Sequence, residues 1–408
     1  MKKISKSLFA LFSVSIFIIS CNPKESSPEP IAFNTDYKFK SEILKKLDLD
    51  TIPWKHQLAA AAFSSNGDYK NALYQYDFAM RVVDRKFEEQ VIDSLRLKYT
   101  SINAKDYIIN EAQKNSVLII NEAHHNAMHR LFTKSLLQDL YNSGYRLFGV
   151  EGLTVGAEYD KKLNQRKYPD LESGFYIKDP QFGDLIREAL QIGFTLFSYD
   201  NVGGRNDAER EIGQAKNLQA VIEANPKSKV LIYCGFNHVY EGKHGKWGKA
   251  MAGRLEEFTG INPLTVDQVA YSEKSNATYN HPLLKVFSPS ESSVLQDANG
   301  DVLGYKRGTS YTDIAVFHPN TNYKNGRPNW LFNAPNQAVE ISLKNITIDF
   351  PVIVQAFQEN EPIDKAIPID LTEVTKQSDT CVLGLKPGNY KIVVTNKNES
   401  YSINKVVK

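Results

Sequence analysis

The chain has 408 residues, 42% hydrophobic and 24% charged, enough for two or three globular domains that each bury a core. Its formal charge is only +2 and the Lys and Arg residues are scattered, which argues against nucleic acid as a partner. Cys21 sits in the leader described next, and the other two cysteines, Cys234 and Cys381, fall in different segments. A disulfide framework is therefore not expected, a thiolate zinc site is excluded, and any metal must rely on His, Asp and Glu.

The amino terminus reads as an export signal. Basic Lys2, Lys3 and Lys6 precede an apolar stretch over 8–19, too short to span a bilayer but suited to the centre of a signal peptide. Small Ser20 stands before Cys21, whose thiol would take diacylglycerol, and several acyl chains together would hold the protein on a membrane. Residues 1–21 are thus read as a lipoprotein signal, with an ordinary secretory signal as the alternative. A cell-envelope location follows, and Asn22 is compatible with outer-membrane sorting. Residues 22–35 carry Pro23, Pro28 and Pro30 among Ser and Glu and read as a flexible tether.

Over 36–105 apolar residues recur at threes and fours, as at Leu58, Ala61 and Ala62 and at Ala72, Leu73, Tyr76 and Ala79, which predicts helices. Gly67-Asp68 punctuates a hairpin that resembles a single tetratricopeptide repeat. One copy cannot stack into a peptide-binding array, so a helical region packed on its neighbour is expected.

Over 106–335 apolar runs at 117–120, 145–150, 194–199, 230–234 and 264–270 alternate with amphipathic segments, and a last strand is expected at 312–317. Leu131, Phe132, Leu136, Leu137, Leu140 and Tyr141 form one helical face that stops before Gly144, and further helices are expected at 207–224 and 247–258. The fold class is therefore α/β, a mostly parallel sheet with flanking helices. The insertion at 154–181 carries Tyr159, Tyr168, Phe175 and Tyr176 and reads either as a lid or as a local minicore. Over 336–408 the pattern turns to alternation, as at Val339, Ile341 and Leu343, which predicts antiparallel β. Its final run Leu385 to Tyr390 is similar to the closing hairpin of small immunoglobulin-like sandwiches.

In an open parallel sheet, ligands bind outside the carboxyl ends of the strands. Those ends are polar: Asn121-Glu122-Ala123-His124-His125, Glu151-Gly152, Asp200-Asn201 and Gly235-Phe236-Asn237-His238. A single His there is most often a satisfied cap. Two His and two Glu at corresponding ends are costly to bury without a use, which marks Glu122, His124, Glu151 and His238 as catalytic candidates. They could work as general base and acid on water, or hold a divalent metal that keeps a position open for water, and the residues alone do not choose. His125 and His129 share a helix face but lack the Glu of the zinc-protease signature and read as a solvated helix start. No role is assigned to His244, His281 or His318.

Glu122 and His124 at one strand end, Gly235 and His238 at another, Glu151-Gly152 between them, and Arg210-Glu211 followed by Gln214-Ala215-Lys216-Asn217 resemble the Tiki, ChaN and erythromycin-esterase-like superfamily over about 105 to 335. The resemblance implies a parallel-sheet α/β fold whose members include metal-dependent peptidases, macrolide-lactone esterases and haem-binding iron-uptake lipoproteins. It implies that Glu122, His124, Glu151 and His238 activate or coordinate the attacking water and that Arg210 anchors a polar substrate group; Asp200 and Asn237, from the strand ends, are read as substrate-binding with it. Asn121 departs from the family, which usually has Gly there. The expected function is hydrolysis of an ester or amide in a small molecule or peptide, with or without a divalent metal. The alternatives are a haem or iron binder in which a Tyr of 154–181 ligates iron, and a non-catalytic binding or scaffold protein.

Overall fold

The computed structural model describes residues 27–203 and 206–408. The leader, Cys21 and the start of the tether lie outside the described residues, and every contact below is made by residues 27 onward.

Six strands, β1 (Val117–Glu122), β2 (Tyr145–Val150), β3 (Thr195–Phe197), β4 (Lys229–Gly235), β5 (Leu264–Asp267) and β6 (Ile314–Ala315), form one parallel sheet in the order β6-β5-β1-β4-β2-β3. The apolar runs have no polar alternation because both faces are covered. Leu118, Ile120, Leu231 and Tyr233 face a core shared with helices Ala104–Lys114, Ala127–Asn142 and Pro180–Ile192. Val117, Ile119, Val230, Ile232 and Cys234 face helices Asp207–Ala224 and Met251–Thr259 on the other side. The period of two along each strand sends alternate residues to the two layers.

The chain leaves β1 toward β2 on one side and leaves β4 toward β5 on the other, with β1 and β4 adjacent. That reversal opens a crevice at their carboxyl ends. Gly144, at φ 98°, ends the helix after β1 as its left-handed stop requires.

Helices Lys40–Leu49, Lys55–Ser65, Tyr69–Met80 and Glu89–Lys98 make up the helical region. Its end differs from the expected helical text, because Tyr99–Asn103 pairs antiparallel with Ser293–Asp297 and so belongs to the α/β part. The tether reading also needs correction from residue 29 onward. Glu29–Pro30 forms an edge strand on Ser400–Val407, the Ile31 amide donates to the Ser400 carbonyl at 2.9 Å, and Phe33 packs edge-on to Phe357. Pro30 is tolerated because an edge strand leaves one side unpaired, while Ile31 and Phe33 bring apolar area worth burying.

The carboxyl-terminal part is antiparallel as expected. A five-stranded sheet holds Val352–Gln358, Asp370–Val374, Gly388–Thr395 and Ser400–Val407 with the edge strand, and Gln337–Ile341 pairs with Cys381–Leu385. The two sheets share a core in which Val339, Ile341, Leu383 and Leu385 meet Val354, Ile392 and Val394. Two buried arginines fasten this part to the rest. Arg187 donates to both Glu361 oxygens at 2.7 and 2.6 Å and to the Ile367 carbonyl, and Arg327 grips Asp370 while donating to the Gly67 carbonyl of the helical hairpin. Cys234 and Cys381 are buried free thiols.

Candidate active site

Register places Glu122 at the end of β1 opposite Gly235 at the end of β4, and the Glu151 amide just past β2 donates to the Tyr233 carbonyl. Three strand ends thus deliver their polar residues to one place. Asn121, in the position where Gly was expected, braces this edge. Its Nδ2 donates to the Phe236 carbonyl and to Asp267 Oδ1, both at 2.8 Å, and its Oδ1 accepts from the Gln268 amide at 2.7 Å. Phe236 stands at φ 43°, a left-handed conformation costly for a bulky residue, and the Asn121 contact helps to hold that turn.

Glu122 is buried and fully engaged. It accepts from Arg130 Nε at 2.5 Å and Nη2 at 3.1 Å, and its Oε1 lies 2.7 Å from His124 Nδ1. Burial alone would raise its carboxyl, but Arg130 and His124 outweigh burial and hold it at about 2, so it is ionised at neutral pH. His124 gives Nδ1 to that carboxylate, which leaves Nε2 as its free nitrogen. Its ring stacks on Tyr176 at 3.8 Å and meets Phe236 edge-on at 5.0 Å.

Glu151 accepts the Gly235 amide on Oε2 at 2.6 Å and Arg210 Nη2 on Oε1 at 2.7 Å. Arg210 is clamped from behind by Asp200, which receives Nε and Nη2 at 2.9 Å each and also Gln214 Nε2 at 2.7 Å. Its Nη1 lies 3.2 Å from His238 Nε2. His238 Nδ1 lies 2.7 Å from Glu211 Oε1, close enough for an ion pair although off the line of a hydrogen bond. Burial pulls the His238 imidazole down, but Glu151 and Glu211 outweigh it and raise the group above its ordinary value.

His124, Glu151, Asp200, Arg210, Asn237 and His238 all line one open cleft of about 640 Å³. Glu122 stands behind His124, and Asp200 has its oxygens turned to Arg210, so these two position other residues instead of meeting a ligand directly. Glycine is required at 235, because a Cβ there would lie 2.4 Å from His124 Cε1 and 2.7 Å from Nε2. Gly235→Ala is expected to push the His124 ring away from Glu122 and Tyr176. A crystal structure of the variant that keeps the 2.7 Å contact between His124 and Glu122 would show that glycine is not needed for this alignment.

No family model and no curated protein matches the chain. Among solved structures it is similar to the type III effector HopBA1 at 12% identity, over 55% of this chain and 98% of that one, with a TM-score of 0.34. It is also similar to RRSP, a MARTX toxin effector domain from Vibrio vulnificus CMCP6, at 16% identity over 53% and 45% of the two chains, with a TM-score of 0.28. Likenesses this remote carry no argument about chemistry.

Among the described residues no group of three or more His, Cys, Asp or Glu side chains could hold a metal ion. The donors named for one, His124, His238, Glu122 and Glu151, do not fit that use. Both Glu122 oxygens and both Glu151 oxygens are taken by donors, and Arg130 and Arg210 already supply the positive charge that a cation would bring. For haem, Tyr176 lines the cleft, whereas the Tyr159 hydroxyl donates to the Leu196 carbonyl at 3.4 Å and the Tyr168 ring lies under Arg166. Burial raises the Tyr176 phenol, and Glu151 and Glu122 raise it further, which disfavours a phenolate ligand. In the insertion, Phe175 and Tyr176 border the cleft, while Leu163 and Ile177 join the main core and not a minicore of their own.

Several residues escaped the sequence reading. Arg130 is fully buried, Tyr76 stacks on His125 at 3.7 Å, and Trp247 stacks on His238 at 5.6 Å. His125 and His129 are buried, not solvated: the helical hairpin covers the first, and the second accepts the Ala123 amide at 3.0 Å. Glu211 stood in the Arg-Glu pair already singled out, and that pairing was the one available signal for it.

Proposed function

We propose that the chain is an envelope hydrolase of ester or amide bonds, anchored through Cys21, in which Glu122, His124 and Arg210 act on water without a metal. The observation that carries this reading is the 2.7 Å contact between His124 Nδ1 and an ionised Glu122 in the wall of a cleft that Arg210 also lines. The carboxylate fixes the tautomer with the proton on Nδ1 and leaves Nε2 as base. Water gives a proton to Nε2 as its oxygen bonds to the substrate carbonyl carbon, and the developing oxyanion is met by the Arg210 guanidinium. The bond to the alcohol oxygen or amine nitrogen then breaks, and His124 returns the proton to that leaving atom. Acid and alcohol, or acid and amine, are the products. Glu151 and Asp200 hold Arg210, and His238, raised above its ordinary value by Glu151 and Glu211, stands beside it.

Membership of the Tiki, ChaN and erythromycin-esterase-like superfamily is part of the proposal, supported by the convergence of Glu122, His124, Glu151 and His238 at one sheet edge. So is an immunoglobulin-like, docking role for the carboxyl-terminal sheets, supported by their shared core.

The test is turnover of a panel of aryl esters and anilides by residues 22–408 in excess EDTA. Turnover that survives the chelator supports the reading. Loss of turnover that added zinc or manganese restores would replace it with a metal mechanism. An inert protein that gives a Soret band with haemin, lost in Tyr176→Phe, would replace it with haem binding.

A further inference from the structure

Beside the cleft lies a second hollow of about 270 Å³, set against helices Lys40–Leu49 and Lys55–Ser65. Ile43, Leu47, Leu58, Ala59 and Ala62 give it apolar walls, and Lys38, Lys46 and Lys55 stand on its rim. Among the described residues, no side chain with a buried, unpartnered polar atom lines it. Its lining, which also includes Asp36, Asp50, Ser65 and Asn66, thus holds no buried polar atom that a ligand must satisfy. A peptide backbone would arrive with donors and acceptors that need partners, whereas a hydrocarbon needs none.

Phe175 belongs to both hollows and is 62% exposed. The segment around it turns Tyr176 onto His124 on one side and presents Lys178 to the groove on the other. A series of ring contacts thus leads from His124 to the groove: Tyr176 stacks on His124, Phe175 meets Tyr176 edge-on at 5.1 Å, and Phe175 lines the groove with Leu47 and Leu58. The lysine stems extend the apolar walls while their ammonium groups stay in water.

We propose that this groove is the tail subsite of the cleft, and that the substrate is an ester or amide of a long unbranched acyl chain. The inference rests on the hydrolase reading and names its substrate class. The scissile carbonyl sits between His124 and Arg210, and the alkyl chain passes over Phe175 into the groove. Water adds to the acyl carbon, the bond from that carbon to oxygen or nitrogen breaks, and a fatty acid leaves with an alcohol or amine.

Two measurements on residues 22–408 test it. The first is hydrolysis of 4-nitrophenyl acetate, butyrate and octanoate below their aggregation limits. The expected result is a KM for octanoate at least tenfold below that for acetate, since each buried methylene is worth about fourfold. Ala62→Phe, which fills the groove, and Leu58→Lys, which charges it, are each expected to bring the octanoate KM up to that of acetate. The second is binding of 11-(dansylamino)undecanoic acid, read by fluorescence and displaced by dodecanoate, which needs no turnover. If esters are cleaved with no dependence on chain length and the probe does not bind, the groove proposal is overturned and the hydrolase stands. If no ester is cleaved but the probe binds and either variant abolishes binding, the groove is upheld as an alkyl site and the hydrolase reading falls.

Discussion

Replacing His124 with Ala is expected to lower kcat on any cleaved ester by 100- to 10,000-fold while leaving the fold intact. A positioned general base contributes a factor of that size. The imidazole is held by its 2.7 Å contact to Glu122 and by stacking on Tyr176, so its loss removes the nitrogen that the Glu122 contact leaves available in the cleft wall. Its side chain is partly exposed and Glu122 keeps both Arg130 donors, so deleting it forfeits one charge-assisted hydrogen bond and a stacking contact, about 2–4 kcal/mol, too little to unfold a protein of this size. His238→Ala is the contrasting variant. It leaves Glu211 without the imidazole beside it, and melting temperature should fall together with rate. Stopped-flow or steady-state kinetics with calorimetry separate the two patterns. Activity within threefold of wild type in His124→Ala would remove this residue from the mechanism.

Arg130→Met should act on the whole molecule. Arg130 is completely buried and pairs with Glu122 and, at 3.0 Å, with Asp179, while also donating to the His124 carbonyl at 2.8 Å. Removing it strands two buried carboxylates, a change that costs about 3–5 kcal/mol. For a chain this long that corresponds to a melting temperature lower by roughly 10 °C. The deficit should depend on pH. In the folded wild type Glu122 is held at about 2, below its ordinary value of 4.5, so its contribution to stability is complete above 4.5 and is lost as pH falls toward 2. The difference between wild type and Arg130→Met is therefore expected to be full at pH 7 and to shrink below pH 4.5. Calorimetric scans at pH 7 and pH 3.5 check this, and a gap that widens in acid would show that Glu122 is not the group Arg130 stabilises.

The strand runs of 106–335 were legible because a sheet covered on both faces must be apolar without interruption, and the polar residues that follow each run were legible as its carboxyl ends. Glu122, His124, Glu151, Asp200, Asn237 and His238 were found this way, and all but Glu122 line the cleft directly. Arg130 was not found, because an arginine in a helix looks like a solvated one until the helix is laid beside a buried carboxylate. His125 and His129 misled for the same reason. Their spacing describes a helix face, but whether water or the Tyr76 ring covers that face depends on a hairpin some fifty residues earlier. The tether failed at Ile31 and Phe33, where proline content outweighed two apolar residues that find an edge strand at the far end of the chain.

What the sequence determined by itself is local and periodic: the element types, the sheet's two buried faces and the polar strand ends. What the tertiary structure alone decided is pairing. Which carboxylate meets which arginine, that both Glu122 oxygens and both Glu151 oxygens are taken by donors, and that Phe175 lines both the cleft and an apolar groove all follow from long-range packing. The reason is physical. Hydrophobic periodicity is written along the chain within a few residues, whereas the neutralisation of a buried charge depends on partners that only the folded sheet brings within 3 Å.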